Sequence, residues 1–160
     1  MQFVKSAPGV EPIVVEGYFA APPEEVYEAW TTPEIIVQWF GLERDSLHSA
    51  DIDLRPGGRW RLLHSKDAEK SVGFEGRYID IKPREKLVYS WSYVVEHMDG
   101  NREATPDSRV EVDFIPQGKG TFVRLVHSLV RTEDARRGIG GGWQASFTSL
   151  GEVLAEQNPA

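Results

Sequence analysis

The chain has 160 residues, of which 40% are hydrophobic and 27% are charged, and it contains no cysteine. This length and composition predict one soluble domain over residues 1–160, and the lack of cysteine excludes disulfides, thiolate metal sites and a cysteine nucleophile. The formal charge of −7 disfavours nucleic acid and membrane surfaces as partners. Because neither a span of about 20 apolar residues nor a signal peptide is recognisable, we expect a cytoplasmic location.

Alternating apolar and polar residues predict a first strand over residues 13–20. Two short helices are expected next, over residues 22–30 and 33–40, because each starts at a proline, has acidic residues close behind and carries apolar residues at helical spacing. From about residue 48 to residue 129 the pattern has a period of two, and turn-forming residues divide it into six more strands. One face of these strands is apolar and the other is charged, which is typical of an antiparallel sheet buried on one side.

Two isoleucines, Ile79 and Ile81, do not fit this alternation. Either a β-bulge near Asp80 shifts the register of the strand, or the two residues form a small second apolar cluster on the outer face. The pattern alone does not distinguish these alternatives.

The last predicted element is a long helix over residues 141–155, whose apolar residues recur three or four positions apart. Only the apolar face of the sheet is large enough to cover such a helix, so we expect the helix to lie in the concave side of the sheet. The predicted class is therefore α+β with a helix-grip fold, in which a seven-stranded curved antiparallel sheet wraps around the C-terminal helix and two short helices follow strand one. The core should span about residues 12–157, with loose ends at residues 1–11 and 156–160.

Several short strings in this order resemble the SRPBCC (START-like) superfamily, in the branch of the activator of the ninety-kilodalton heat-shock protein's ATPase. The strings lie at residues 19–30, 32–34, 39–41, 55–60, 86–91 and 142–143. The resemblance covers about residues 10–157 and implies a cavity between the sheet and the long helix. Members of this superfamily include co-chaperones, lipid carriers and aromatic cyclases. The resemblance therefore predicts the fold more sharply than the function.

Aromatic side chains are concentrated on the predicted concave side. They can form an ordinary core, or they can line a cavity for an apolar or aromatic small molecule, which Gly76 would widen. The candidate ligand-binding residues are Trp39, Phe40, Trp60, Phe74, Tyr78, Tyr89, Trp91, Phe114, His127, Trp143 and Phe147.

Two histidines, His127 and His64, fall on the inward face, where each can be a general base, a ligand anchor or a hydrogen-bonded core residue. No histidine or acidic cluster suggests a metal, and no motif suggests a cofactor. The glycines at residues 140–142 are interpreted as a sharp start of the last helix rather than as a phosphate cradle. Arg136 and Arg137 are expected either to be solvated or to flank a cavity mouth.

The function favoured by the sequence is binding of an unidentified small molecule. One alternative is an enzyme of cyclase or hydrolase type, for which His127, His64, Tyr78 and Tyr89 are the available acid–base groups. The other is a protein-interaction domain for a chaperone ATPase, which is less expected because the chain resembles only the C-terminal part of the eukaryotic activator. The sequence predicts no particular oligomeric state.

Overall fold

The predicted order of elements is present in the computed structural model, which describes residues 2–5 and 9–157. The elements are β1 Gln2–Lys5, β2 Ile13–Phe19, α1 Pro23–Thr31, α2 Pro33–Trp39, β3 Ser49–Ile52, β4 Arg59–Lys66, β5 Lys70–Lys82, β6 Lys86–His97, β7 Arg102–Ala104, β8 Ser108–Gln117, β9 Gly120–Ser128 and α3 Glu133–Gln157. The seven predicted strands are β2 to β6, β8 and β9. Two short strands were not predicted: β1 lies in a segment expected to be loose, and β7 lies in one expected to be a turn.

All strands pair antiparallel in one curved sheet of order β1-β2-β9-β8-β6-β5-β4-β3. The long strand β6 pairs with β8 along its first half and with β7 along its second half. The pairing with β6 is interrupted between β7 and β8. Pro106 lies in this gap and has no N–H to donate to the sheet. The α+β helix-grip prediction is confirmed.

Two β-bulges shift the register of neighbouring strands. The first lies between Tyr78 and Asp80 in β5, so the bulge is the alternative that the structure adopts. It leaves Ile79 47% exposed and packs Ile81 against the core. The second lies in β4 around His64, at a position where the predicted alternation continues without a break.

The helix α3 begins at Glu133, eight residues before its predicted start, so the glycines at residues 140–142 lie inside the helix and not before it. Thr132 caps this start, because its Oγ1 accepts a hydrogen bond from the Ala135 N–H at 3.1 Å. The predicted apolar face is buried in the core through Trp143, Phe147, Leu150 and Leu154. Burial of this face offsets the low helix propensity of the glycines.

Among the described residues, no helix is both long enough and apolar enough to span a membrane.

Candidate functional site

A pocket of about 550 Å³ opens at one end of the grip, between the first half of α3 and the strands β4 to β6. Three loops complete its wall: the one after α2, the one between β7 and β8, and the one between β9 and α3. Small-molecule sites in proteins typically measure about 300–1,000 Å³. The pocket is therefore large enough for a small organic ligand.

Five aromatic side chains form its inner wall: Phe40, Phe74, Trp91, Tyr93 and Trp143. Their rings are already in contact, with centroid distances of 5.4 Å between Phe40 and Phe74 and 5.4 Å between Phe40 and Trp143. Phe74 and Trp91 are 5.0 Å apart. Because these rings hold one another in place, the apolar wall is formed before any ligand arrives.

The predicted site residues are distributed over three places. Phe40, Phe74, Trp91 and Trp143 line the pocket. Trp60, Tyr78 and Tyr89 surround a separate gap of about 20 Å³, which holds no more than a water molecule or two. Trp39, Phe114, Phe147 and His127 are fully buried or nearly so and line neither space.

The middle of the grip is filled by Trp30 of α1. Its ring lies 4.7 Å from Trp39, 5.6 Å from Phe114, 6.4 Å from Trp143 and 5.8 Å from Phe147. Its indole N–H also donates to the Tyr89 hydroxyl at 3.3 Å. The aromatic side chains around Trp30 thus form ordinary core, and the open space is displaced to the end of the sheet beyond α1.

Gly76 does not widen the pocket, contrary to expectation. A Cβ at this position would lie 1.9 Å from the carbonyl oxygen of Ser90 and 2.8 Å from the Trp60 Nε1. The glycine is needed because the backbone of the neighbouring strand and an indole ring approach it closely.

His127 is fully buried behind the pocket wall and is held by hydrogen bonds on both ring nitrogens. The Trp143 Nε1–H donates to its Nδ1 at 2.9 Å. Its Nε2 lies 2.7 Å from the Ser108 Oγ, and the Ser108 hydroxyl donates to the carbonyl oxygen of Trp91 at 2.9 Å.

This chain of contacts determines the position of the protons. An indole N–H can only donate, so the Nδ1 of His127 accepts, and the proton of the neutral ring lies on Nε2 and is donated to Ser108. Burial lowers the pKa of His127 to about 3. His127 therefore stays neutral and does not accept a proton from Ser108, as the base of a serine nucleophile must.

The remaining candidate acid–base groups are also poorly placed. Burial raises the pKa of Tyr78 and that of Tyr89, so both hydroxyls stay protonated at neutral pH. His64 does line the pocket, where the bulge in β4 places it on the exposed rim. Among the side chains that the structure describes, those of residues 9–157, no three histidine or acidic groups are placed together as a metal site.

The loops supply pocket residues that sequence reasoning did not select. Leu42 and Leu129 are 74% and 60% exposed at the rim, and Arg131 follows on the same loop as Leu129. Gly138 and Gly142 of α3, one helical turn apart, face the pocket. The alternation of strands carries no information about loop residues. Gly138 lies before the predicted start of the helix at residue 141, so the sequence did not indicate that Gly138 and Gly142 share one helix face.

Comparison with known proteins identifies the family. The model of the family described as Activator of Hsp90 ATPase homolog 1-like protein matches residues 20–155. The chain belongs to this family. All residues that line the pocket, from Phe40 to Ser146, lie within the matched segment. The name of the Activator of Hsp90 ATPase homolog 1-like family does not by itself assign that activity to this chain.

Solved structures share the fold over nearly the whole chain. A protein from Rhodobacter sphaeroides is 18% identical with a TM-score of 0.74, covering 97% of this chain and 99% of its own. CalU16 from Micromonospora echinospora is 25% identical with a TM-score of 0.68, and the match covers 98% of this chain and 88% of CalU16. Protein MLL2253 from Mesorhizobium loti is 25% identical with a TM-score of 0.69, and the match covers 92% of this chain and 98% of MLL2253. No curated protein matches the chain significantly.

Proposed function

We propose that this protein binds an apolar or aromatic small molecule in the pocket between α3 and the strands β4 to β6. The pocket has the volume of a ligand site and a wall of five mutually supporting aromatic rings. The proton arrangement around His127 favours binding over serine-based hydrolysis, because the ring donates to Ser108.

The observation that carries this proposal is the pair of glycines on the pocket face of α3. A Cβ added at Gly138 or Gly142 would meet no atom within 4 Å, so glycine is not needed there for close packing. Each glycine costs the helix about 1 kcal/mol relative to alanine. Larger apolar residues would strengthen the helix and fill the space, and their absence supports a pocket kept open for a ligand.

A neutral fluorescent probe, N-phenyl-1-naphthylamine, tests the proposal. We expect the wild-type protein to bind the probe with a saturable rise in emission, and the variant Gly142→Leu to lose at least about tenfold in affinity, because its side chain occupies the pocket. Fluorescence titration measures both affinities.

The matched control is Gly141→Leu. Gly141 is exposed, has no neighbour within 4 Å of an added Cβ and does not line the pocket, so this variant adds the same side chain to the same helix and should bind the probe like wild type. Equal binding by all three proteins, or no saturable binding by the wild type, would contradict the proposal.

A further inference from the structure

The charge of the pocket is opposite to that of the protein. The whole chain has 25 acidic residues against 18 lysines and arginines. The residues that line the pocket include Arg131 and His64 but no aspartate or glutamate. A cation at the rim of an apolar pocket favours a ligand with an anionic end.

Hydrogen bonds from two other segments hold the loop that carries Arg131. The Glu11 carboxylate accepts hydrogen bonds from the backbone N–H of Leu129 at 2.7 Å and of Val130 at 3.3 Å. The Arg136 Nη1 also donates to the Val130 carbonyl oxygen at 2.9 Å. These bonds hold Leu129 at a φ of 66°, a conformation that is costly for leucine and that is often retained at binding sites.

The neighbouring arginines are already engaged. Arg136 also donates to the Gly9 carbonyl oxygen at 2.6 Å, and Arg137 pairs with the Glu133 carboxylate at 2.9 Å. Among residues 9–157, whose side chains the structure describes, the Arg131 side chain has no hydrogen bond or ion pair. The backbone of Arg131 is thus fixed at the pocket rim while its guanidinium is available.

We propose that Arg131 binds the carboxylate of an amphipathic ligand, whose aromatic or aliphatic part occupies the pocket. This inference rests on the proposed binding function and specifies the ligand as an apolar carboxylic acid. A guanidinium binds a carboxylate through two parallel hydrogen bonds. His64 also lines the pocket, but it lies on β4, and three strands separate β4 from β9 in the sheet order, so the proposal assigns the carboxylate to Arg131.

Two ligands with one ring system and different ends test this inference: 2-naphthoate and the neutral 2-naphthylmethanol. Isothermal titration calorimetry should show that wild type prefers the carboxylate about tenfold, as expected for one charge-assisted contact at a partly exposed site. Arg131→Gln should remove this preference by weakening 2-naphthoate alone. Arg137→Gln, which changes a nearby arginine outside the pocket, should leave both affinities unchanged.

The possible failures can be told apart. If wild type binds both naphthyl compounds equally and Arg131→Gln changes neither affinity, the carboxylate site is wrong while the apolar pocket stands. If Arg137→Gln weakens 2-naphthoate as strongly as Arg131→Gln does, the effect is a general one of charge and the assignment to Arg131 is wrong. If neither compound nor N-phenyl-1-naphthylamine binds, the proposed function fails and the carboxylate site fails with it.

Discussion

The imidazole of His127 shows how a single neighbour decides what a histidine can do. The sequence placed His127 on the inward face, but the same position is compatible with a base, an anchor or a core residue. The Trp143 N–H removes the ambiguity, because it occupies Nδ1 and leaves the proton on Nε2. The two residues are 16 positions apart, on different elements, so no local pattern could reveal the contact.

Buried His127 should make the protein sensitive to acid. Burial lowers the pKa of His127 in the folded state to about 3, from its ordinary value of 6.5, so between these values the unfolded chain binds the extra proton. The free energy of unfolding should therefore fall as the pH falls through this window, by about 2 kcal/mol from pH 7 to pH 5. Urea denaturation at each pH measures this change.

The variant His127→Gln isolates the contribution of the histidine, because glutamine can both donate and accept but does not titrate in this range. The difference in stability between pH 7 and pH 5 should shrink by about 2 kcal/mol in the variant. An unchanged pH dependence would show that other groups cause the acid sensitivity of the wild type.

At the scale of elements, replacing each of two glycines with alanine should change the free energy of unfolding in opposite directions. Gly76→Ala should destabilise the protein by about 3 kcal/mol, because the new methyl group meets the Ser90 carbonyl oxygen across the strand pair. Gly141→Ala should instead stabilise it by about 0.5–1 kcal/mol, because the exposed helix gains propensity and the methyl group meets nothing. Urea denaturation gives both values, and equal signs would contradict the assigned roles.

Alternation and helical spacing predicted the elements where one face is buried and the other is wet. For example, β2 alternates strictly, with Ile13, Val15 and Phe19 buried. The short β7 carries three exposed residues and therefore has no apolar pattern to find. The first half of α3 is helical despite its glycines, because tertiary burial of the second half and the Thr132 cap outweigh local propensity.

The position of the pocket was less predictable than the fold. Alternation identifies which side chains point inward, but it does not say which part of the concave space another element fills. Trp30 of α1 occupies the middle of that space, so Trp60 and Tyr78 became core while Phe40 and Trp143 face the opening. Arg131 lies on a loop, for which no periodic signal exists. The alternation extends to Leu129, but β9 ends at Ser128 and Leu129 is exposed at the rim with a φ of 66°.

At the scale of the whole molecule, the pocket depends on segments that are far apart in sequence, from the loop after α2 to the middle of α3. The unfolded chain has no such site, so a ligand should stabilise only the folded state. At 100 times its dissociation constant, N-phenyl-1-naphthylamine should add about 2.7 kcal/mol and raise the Tm by roughly 5–10 °C for a chain of this size.

Circular dichroism melting with and without the probe measures this shift. In Gly142→Leu a tenfold loss of affinity leaves about 1.4 kcal/mol at the same probe concentration, so its Tm should rise by no more than about half as much. A ligand that raised the Tm of both proteins equally would be binding outside the pocket.

The pairing of β2 with β9 also has a consequence for how the chain reaches its native state. Ile13 lies opposite His127, so two strands from opposite ends of the chain must find each other, whereas β3 to β6 can form successive hairpins from local contacts. Contacts between distant segments slow folding, because the loop they close must first lose its freedom. During synthesis on the ribosome, β2 has no partner on this side until β9 has been made. The pocket also forms late, because part of its wall belongs to α3 and to the loop before it.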